Sequence, residues 1–207
     1  MRNIGQITYL TGGAKSGKSS HAERQIIQEN FASVAYIATQ GNDFQDAEIR
    51  RSIAKHRQSR PQEWTTYESY QNLDQLIRIT QATQHHDAYL LDCVTLWVNN
   101  QLFMYLEEFR QLQDPSLNFD AMIQAMASSD WDQVEQYLMD EFDKVLQAMK
   151  ATDAQFWIVS NEVGSGIVPE NTFVRMYRIM IGKVNQKIAA YADKAYVSIS
   201  GILLTLK

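Results

Sequence analysis

Eight consecutive residues, Gly12-Gly13-Ala14-Lys15-Ser16-Gly17-Lys18-Ser19, meet the spacing Gly-x-x-x-x-Gly-Lys-Ser. Glycines in such a run permit positive φ values, so successive N–H groups turn inward and phosphate oxygens come close to backbone. A helix that starts near Lys18 aims its positive end at the same place. Lys18 can then reach β- and γ-phosphates, and Ser19 can ligate magnesium. The flanking sequence supports this. Ile7-Thr8-Tyr9-Leu10 reads as an apolar strand before the run, and Ala22, Ile26 and Ile27 fall at helical spacing after it. The run is therefore expected to be a P-loop holding a nucleoside triphosphate; the bland alternative is a Gly-rich strand-to-helix turn.

Such a loop needs an acid on the magnesium side, at the end of a neighbouring apolar strand. Asp92 closes the run Ala88-Tyr89-Leu90-Leu91-Asp92 and is the candidate. Its alternative role is a helix N-cap before Val94–Val98. Cys93, the single cysteine, lies in an apolar stretch and is expected to be a buried, inert thiol. His21 sits one turn into the first helix, facing either substrate or packing. His85 and His86 lie in a polar stretch and are expected at the surface.

The elements that must position these residues alternate along the chain. Strands are predicted at Ile7–Leu10, Val34–Ala38, Ala88–Asp92, Phe156–Ser160 and Ala195–Ile199, and helices at 18–29, 44–58, 95–108, 131–150 and 172–192. This alternation implies an α/β fold with a mostly parallel sheet covered by helices on both faces. Ile202–Lys207 follows Ser200-Gly201 too closely for a crossover, so it should form an antiparallel C-terminal edge strand. Residues 109–130 read as an insertion with a short helix around Met122, Ile123 and Met126. The 207 residues are expected to form one domain.

Composition narrows the function classes. With 45% hydrophobic and 21% charged residues the chain has a globular balance. A net charge of −5 disfavours nucleic-acid binding through bulk electrostatics and argues against an anionic membrane surface. No apolar run approaches ~18 residues, so no membrane span is expected, and the N-terminus carries no signal-peptide pattern. The expected location is the cytoplasm.

Three further segments say more than the loop does. They are Asp46-Ala47-Glu48 with Lys55-His56-Arg57-Gln58-Ser59-Arg60-Pro61 and Trp64-Thr65-Thr66-Tyr67-Glu68; Ile158-Val159-Ser160-Asn161-Glu162-Val163-Gly164-Ser165-Gly166-Ile167-Val168-Pro169-Glu170-Asn171; and Gly182-Lys183-Val184-Asn185-Gln186-Lys187-Ile188-Ala189. With the Gly12–Ser19 loop and Tyr36-Ile37-Ala38-Thr39, the chain resembles the bifunctional adenosylcobinamide kinase/adenosylcobinamide-phosphate guanylyltransferase family of cobalamin biosynthesis. The resemblance covers nearly all of the chain except 109–130.

The resemblance implies a P-loop NTPase-like (RecA-like) fold and two reactions. ATP or GTP phosphorylates the aminopropanol hydroxyl of adenosylcobinamide, and GMP from GTP is then transferred to that phosphate through a histidine, which falls on His56. A neutral imidazole is a competent nucleophile near neutral pH, and Arg57 and Arg60 beside it can hold a triphosphate. The resemblance also implies nucleotide contacts at Gln58, Ser59, Glu68, Ala38 and Thr39, and a homotrimer; Mg2+ on Ser19 and Asp92 is expected from the loop motif and the strand end. Lys15 stands where the family usually has arginine, which keeps the charge and loses the fork geometry. Two alternatives remain open: a P-loop small-molecule kinase without guanylyl transfer, and a non-catalytic nucleotide-binding regulator.

Overall fold

Four strand segments carry apolar side chains on both faces, the pattern of strands buried in a parallel sheet. In the computed structural model, which describes residues 5–40 and 61–207, they are β1 (Gln6–Gly12), β2 (Val34–Ala38), β4 (Ala88–Asp92) and β5 (Gln155–Val159). With β3 (Thr65–Glu68), β6 (Lys194–Ile199) and β7 (Ile202–Thr205) they form a seven-stranded sheet in the order β3-β2-β4-β5-β1-β6-β7. Every ladder is parallel except β6–β7. The antiparallel edge follows from the turn: Ser200 and Gly201 both have positive φ, at 51° and 82°, which suits a tight hairpin.

The described helices are α1 (Lys18–Glu29), α2 (Leu73–Thr83), α3 (Val94–Gln113), α4 (Phe119–Ala125), α5 (Ser128–Lys150) and α6 (Thr172–Tyr191). Strand alternation divides the core in two. Leu10, Tyr36, Leu90, Trp157 and Val159 face Ala22 and Ile26 of α1. Tyr9, Ile37, Tyr89, Leu91, Phe156 and Ile158 face α2, α3, α5 and α6. That second layer is anchored by Phe142 and Trp97, whose rings meet edge to face at 4.9 Å. Burying each such side chain contributes about 1.5–3 kcal/mol.

The structure adds two elements that the sequence reading leaves out. β3 pairs in parallel with β2, but it is a short edge strand, exposed at three of its four positions, so no period-two pattern marks it. In α2, Leu73, Ile77 and Thr80 are buried at helical spacing within an otherwise polar stretch. The helix expected at 44–58 lies outside the described residues. Across 109–130, α3 continues to Gln113 and Asp114 turns the chain, accepting bonds from the Ser116 amide (2.9 Å) and hydroxyl (2.7 Å). Asn118 then caps α4, accepting from the amides of Asp120 (3.0 Å) and Ala121 (3.2 Å). The expected short helix is present, and its Met122 and Ile123 are buried.

Candidate active site

The Gly12–Ser19 loop joins β1 to α1, as the spacing requires. Gly12 has φ +145°, and a Cβ there would lie 2.2 Å from the Ser198 carbonyl oxygen. Gly17, the residue before α1, has φ +99°, and Lys15 also has positive φ. The loop is held from outside. The Ser16 carbonyl accepts from Ser198 Oγ (2.6 Å) and the Gly201 amide (3.0 Å). The Gly12 carbonyl accepts from the Glu162 amide (2.9 Å). His21 ties the same hairpin to α1: its Nε2–H donates to the Gly201 carbonyl (2.9 Å), while Nδ1 accepts from Arg24 (3.0 Å). His21 therefore faces the hairpin.

Lys18 is buried, and its Nζ donates to the Gly13 carbonyl at 2.7 Å, inside the curve of the loop. Burial pulls its pKa down from the ordinary lysine value, and the nearby Cys93 and Asp92 oppose that shift. Asp92 ends β4, two strands from β1 across β5, roughly 10 Å at ordinary strand spacing. Tyr36 Oη donates to its Oδ2 at 2.5 Å. The capping alternative is not realised, because Cys93 occupies the N-cap of α3 and no side chain caps that helix. Burial pushes the Cys93 thiol up to about 11, which keeps it protonated and inert near neutral pH.

The parallel strands bring the other candidates to the same edge, where such sheets bind ligands. Ala38 ends β2 and the exposed Glu68 ends β3, joined through the Ser69 amide, which donates to the Ala38 carbonyl (3.0 Å). Thr39 is fully buried. Its hydroxyl donates to the Cys93 carbonyl (2.6 Å) and accepts from the Cys93 amide (3.0 Å), so this side chain fixes the β2–β4 junction. His56, Arg57, Gln58, Ser59 and Arg60 lie outside the described residues.

The Asn161–Asn171 segment leaves β5 at this edge and is shaped by side-chain bonds. Asn185 donates to the Asn161 carbonyl (3.1 Å), and Arg175 donates to the carbonyls of Pro169 (3.1 Å) and Glu170 (3.0 Å). Arg178 donates to the Gly164 carbonyl. Asn171 caps α6, accepting from the Val174 amide at 3.0 Å.

One expectation is corrected. His85 is exposed, but His86 is only 2% exposed. The adjoining strands bury it: Nδ1 bonds Ser33 Oγ (2.7 Å), Nε2 bonds Tyr67 Oη (2.9 Å), and the ring packs edge-on against Tyr67 and Tyr89. Local polarity of the sequence concealed this. The contacts of Ser198 and Gly201 with the Ser16 carbonyl, and of Arg175 with the Pro169 and Glu170 carbonyls, also carry no local signal.

The strand order, with the glycine loop after β1 and the acid at the end of β4, defines an α/β fold of the P-loop NTPase-like, RecA-like class. An ATPase from a type III secretion system of pathogenic bacteria shares it at TM-score 0.52, with 12% identity over 94% of this chain and 51% of that one; at that identity the likeness shows the fold alone. The family model described as cobinamide kinase / cobinamide phosphate guanyltransferase matches residues 8–206, and this chain belongs to that family. Among its relatives are the bifunctional adenosylcobalamin biosynthesis proteins CobU of Escherichia coli (strain K12), at 37% identity, and CobU of Salmonella typhimurium, at 38%. Each alignment covers 96% of this chain and 98% of the relative. The Pseudomonas aeruginosa relative, CobP, is 31% identical over 96% of this chain and 95% of its own.

Proposed function

We propose that this protein phosphorylates the aminopropanol hydroxyl of adenosylcobinamide with ATP or GTP, then transfers GMP from GTP to the new phosphate through a guanylyl-histidine at His56. The observation that carries the reading is the near-complete match to the family over residues 8–206, in a chain whose loop places Lys18 on the same sheet edge as Asp92.

Each step assigns work to particular residues. The backbone amides of Gly12–Ser19 and the N-terminus of α1 are assigned to hold the β- and γ-phosphates. Lys18, released from the Gly13 carbonyl, neutralises charge that develops as the phosphorus–oxygen bond breaks. Arg57, Gln58, Ser59, Arg60 and Glu68 are proposed to bind the nucleotide, with Ala38 beside it. In the second reaction the His56 imidazole attacks the α-phosphorus, pyrophosphate leaves, and the cobinamide phosphate then displaces the histidine.

Ser19 and Asp92 suit a magnesium ion, since both offer oxygen donors and Mg2+ is commonly held by one or two side chains plus substrate phosphates. Among the described residues no group of three His, Cys, Asp or Glu side chains forms a metal cage, so phosphate oxygens would complete this site. Bound there, the ion would neutralise phosphate charge. No helix among the described residues is long and apolar enough to cross a membrane. The assembly expected from the family is a homotrimer, and the expected location is the cytoplasm.

The test is incubation with Mg2+ and GTP labelled on the α-phosphate. The protein should acquire an acid-labile, base-stable label, and His56→Ala should acquire none. Wild-type protein that phosphorylates adenosylcobinamide without ever becoming labelled would leave only the kinase half of the proposal. Label persisting in His56→Ala would remove His56 from its role.

A further inference from the structure

The phosphoryl-transfer step needs an acceptor for the proton of the attacking hydroxyl. Among the described residues, four carboxylates stand at the C-terminal edge of the parallel strands: Glu68, Asp92, Glu162 and Glu170. Strand order separates them. Glu68 ends β3, four strands from the loop-bearing β1, roughly 19 Å at ordinary spacing. Asp92 is two strands away, and one of its oxygens already accepts from Tyr36. Glu170 lies at the far end of its segment, where Arg175 holds its carbonyl beside α6.

Glu162 differs from all three. It continues β5, the strand directly beside β1, and its amide donates to the carbonyl of Gly12, the first residue of the phosphate loop, at 2.9 Å. That bond fixes its Cα next to the loop. Its side chain is exposed, and one oxygen, Oε1, accepts from the Gly164 amide at 2.5 Å. Among the described residues no cation forms an ion pair with it. The neighbourhood bears its charge, since the buried Tyr9 phenol is pushed up to about 12, by burial first and by the Glu162 carboxylate in the same direction.

We propose that Glu162 is the general base of the kinase step. Its carboxylate accepts the hydroxyl proton as the substrate oxygen bonds to the γ-phosphorus; the bond from that phosphorus to the β–γ bridging oxygen breaks, and the nucleoside diphosphate leaves with the electron pair. The proton then passes to solvent. This inference rests on the kinase half of the proposed function.

The bland role for Glu162 is to shape its loop through Gly164, and Glu162→Gln separates the two, because the amide oxygen still accepts from the Gly164 N–H while a proton acceptor is lost. The expected result is a fall of about 100-fold or more in kinase kcat, the range for a lost general base, with nucleotide affinity and guanylyl-histidine formation as in wild type. Glu162→Asp should recover part of the kinase rate. A wild-type kinase rate in Glu162→Gln would overturn the proposal, as would a parallel fall in kinase rate, nucleotide affinity and histidine labelling in both variants. Wild-type protein with no kinase activity would instead overturn the functional reading beneath it.

Discussion

Gly12 shows how much a single position controls at this site. Its φ of +145° and the Ser198 carbonyl 2.2 Å from any added Cβ leave room for hydrogen alone, against backbone that cannot swing away. Gly12→Ala should therefore destabilise the fold by about 1–3 kcal/mol, as overpacking does. It should also weaken nucleotide binding by roughly tenfold or more, since the loop must shift. Urea denaturation and nucleotide titration measure the two effects. A variant with wild-type stability and affinity would mean that the loop does not need its present path. The placement of Gly12, Lys18 and Ser19 between β1 and α1, and of Asp92 at the end of β4, was legible because local spacing carries it. The burial of Thr39 and its two bonds to Cys93 were not, because they depend on a strand junction between residues 54 positions apart.

At the scale of elements, α6 shows how a helix end shapes the loop that precedes it. Asn171 terminates the Asn161–Asn171 segment and caps the helix through the Val174 amide, while Arg175, one turn in, holds the Pro169 and Glu170 carbonyls. Asn171→Ala should cost ~1 kcal/mol of stability, the usual loss of an asparagine cap, measurable as a lowered Tm. An unchanged Tm would show the end of α6 to be held by Arg175 alone. Most strands and helices were legible from periodicity. β3 was not, because an exposed four-residue edge strand has neither alternation nor length; it exists because β2 offers it a ladder.

Across the whole molecule, the end of the sheet opposite the phosphate loop contains a pH-sensitive contact. His86 is buried between Ser33 and Tyr67, and desolvation lowers its pKa below the ordinary 6.5, with Asp87 opposing. A histidine whose folded pKa is depressed stabilises the fold fully above the unfolded pKa and loses that contribution as pH falls through the folded one. Stability should therefore decline as pH drops below about 6.5. His86→Gln should show a shallower decline between pH 7 and pH 5 in urea titrations. Equal slopes in the two proteins would show that His86 does not contribute.

By itself the sequence determined what depends on neighbours along the chain: the glycine loop, the strand-then-helix alternation, the acid closing β4 and the family that the chain belongs to. Each rests on residue types at short, fixed spacing, which local sterics and burial read directly. Only the tertiary structure decided which partners hold that loop in shape. Ser198 reaches the Ser16 carbonyl from 182 residues away. Glu162 comes to Gly12 because β5 lies beside β1 in the sheet. His86 is buried by strands that its polar surroundings do not announce. These placements follow from strand order, which is set by how whole helices cover the two faces of the sheet and leaves no trace in any short stretch of residues.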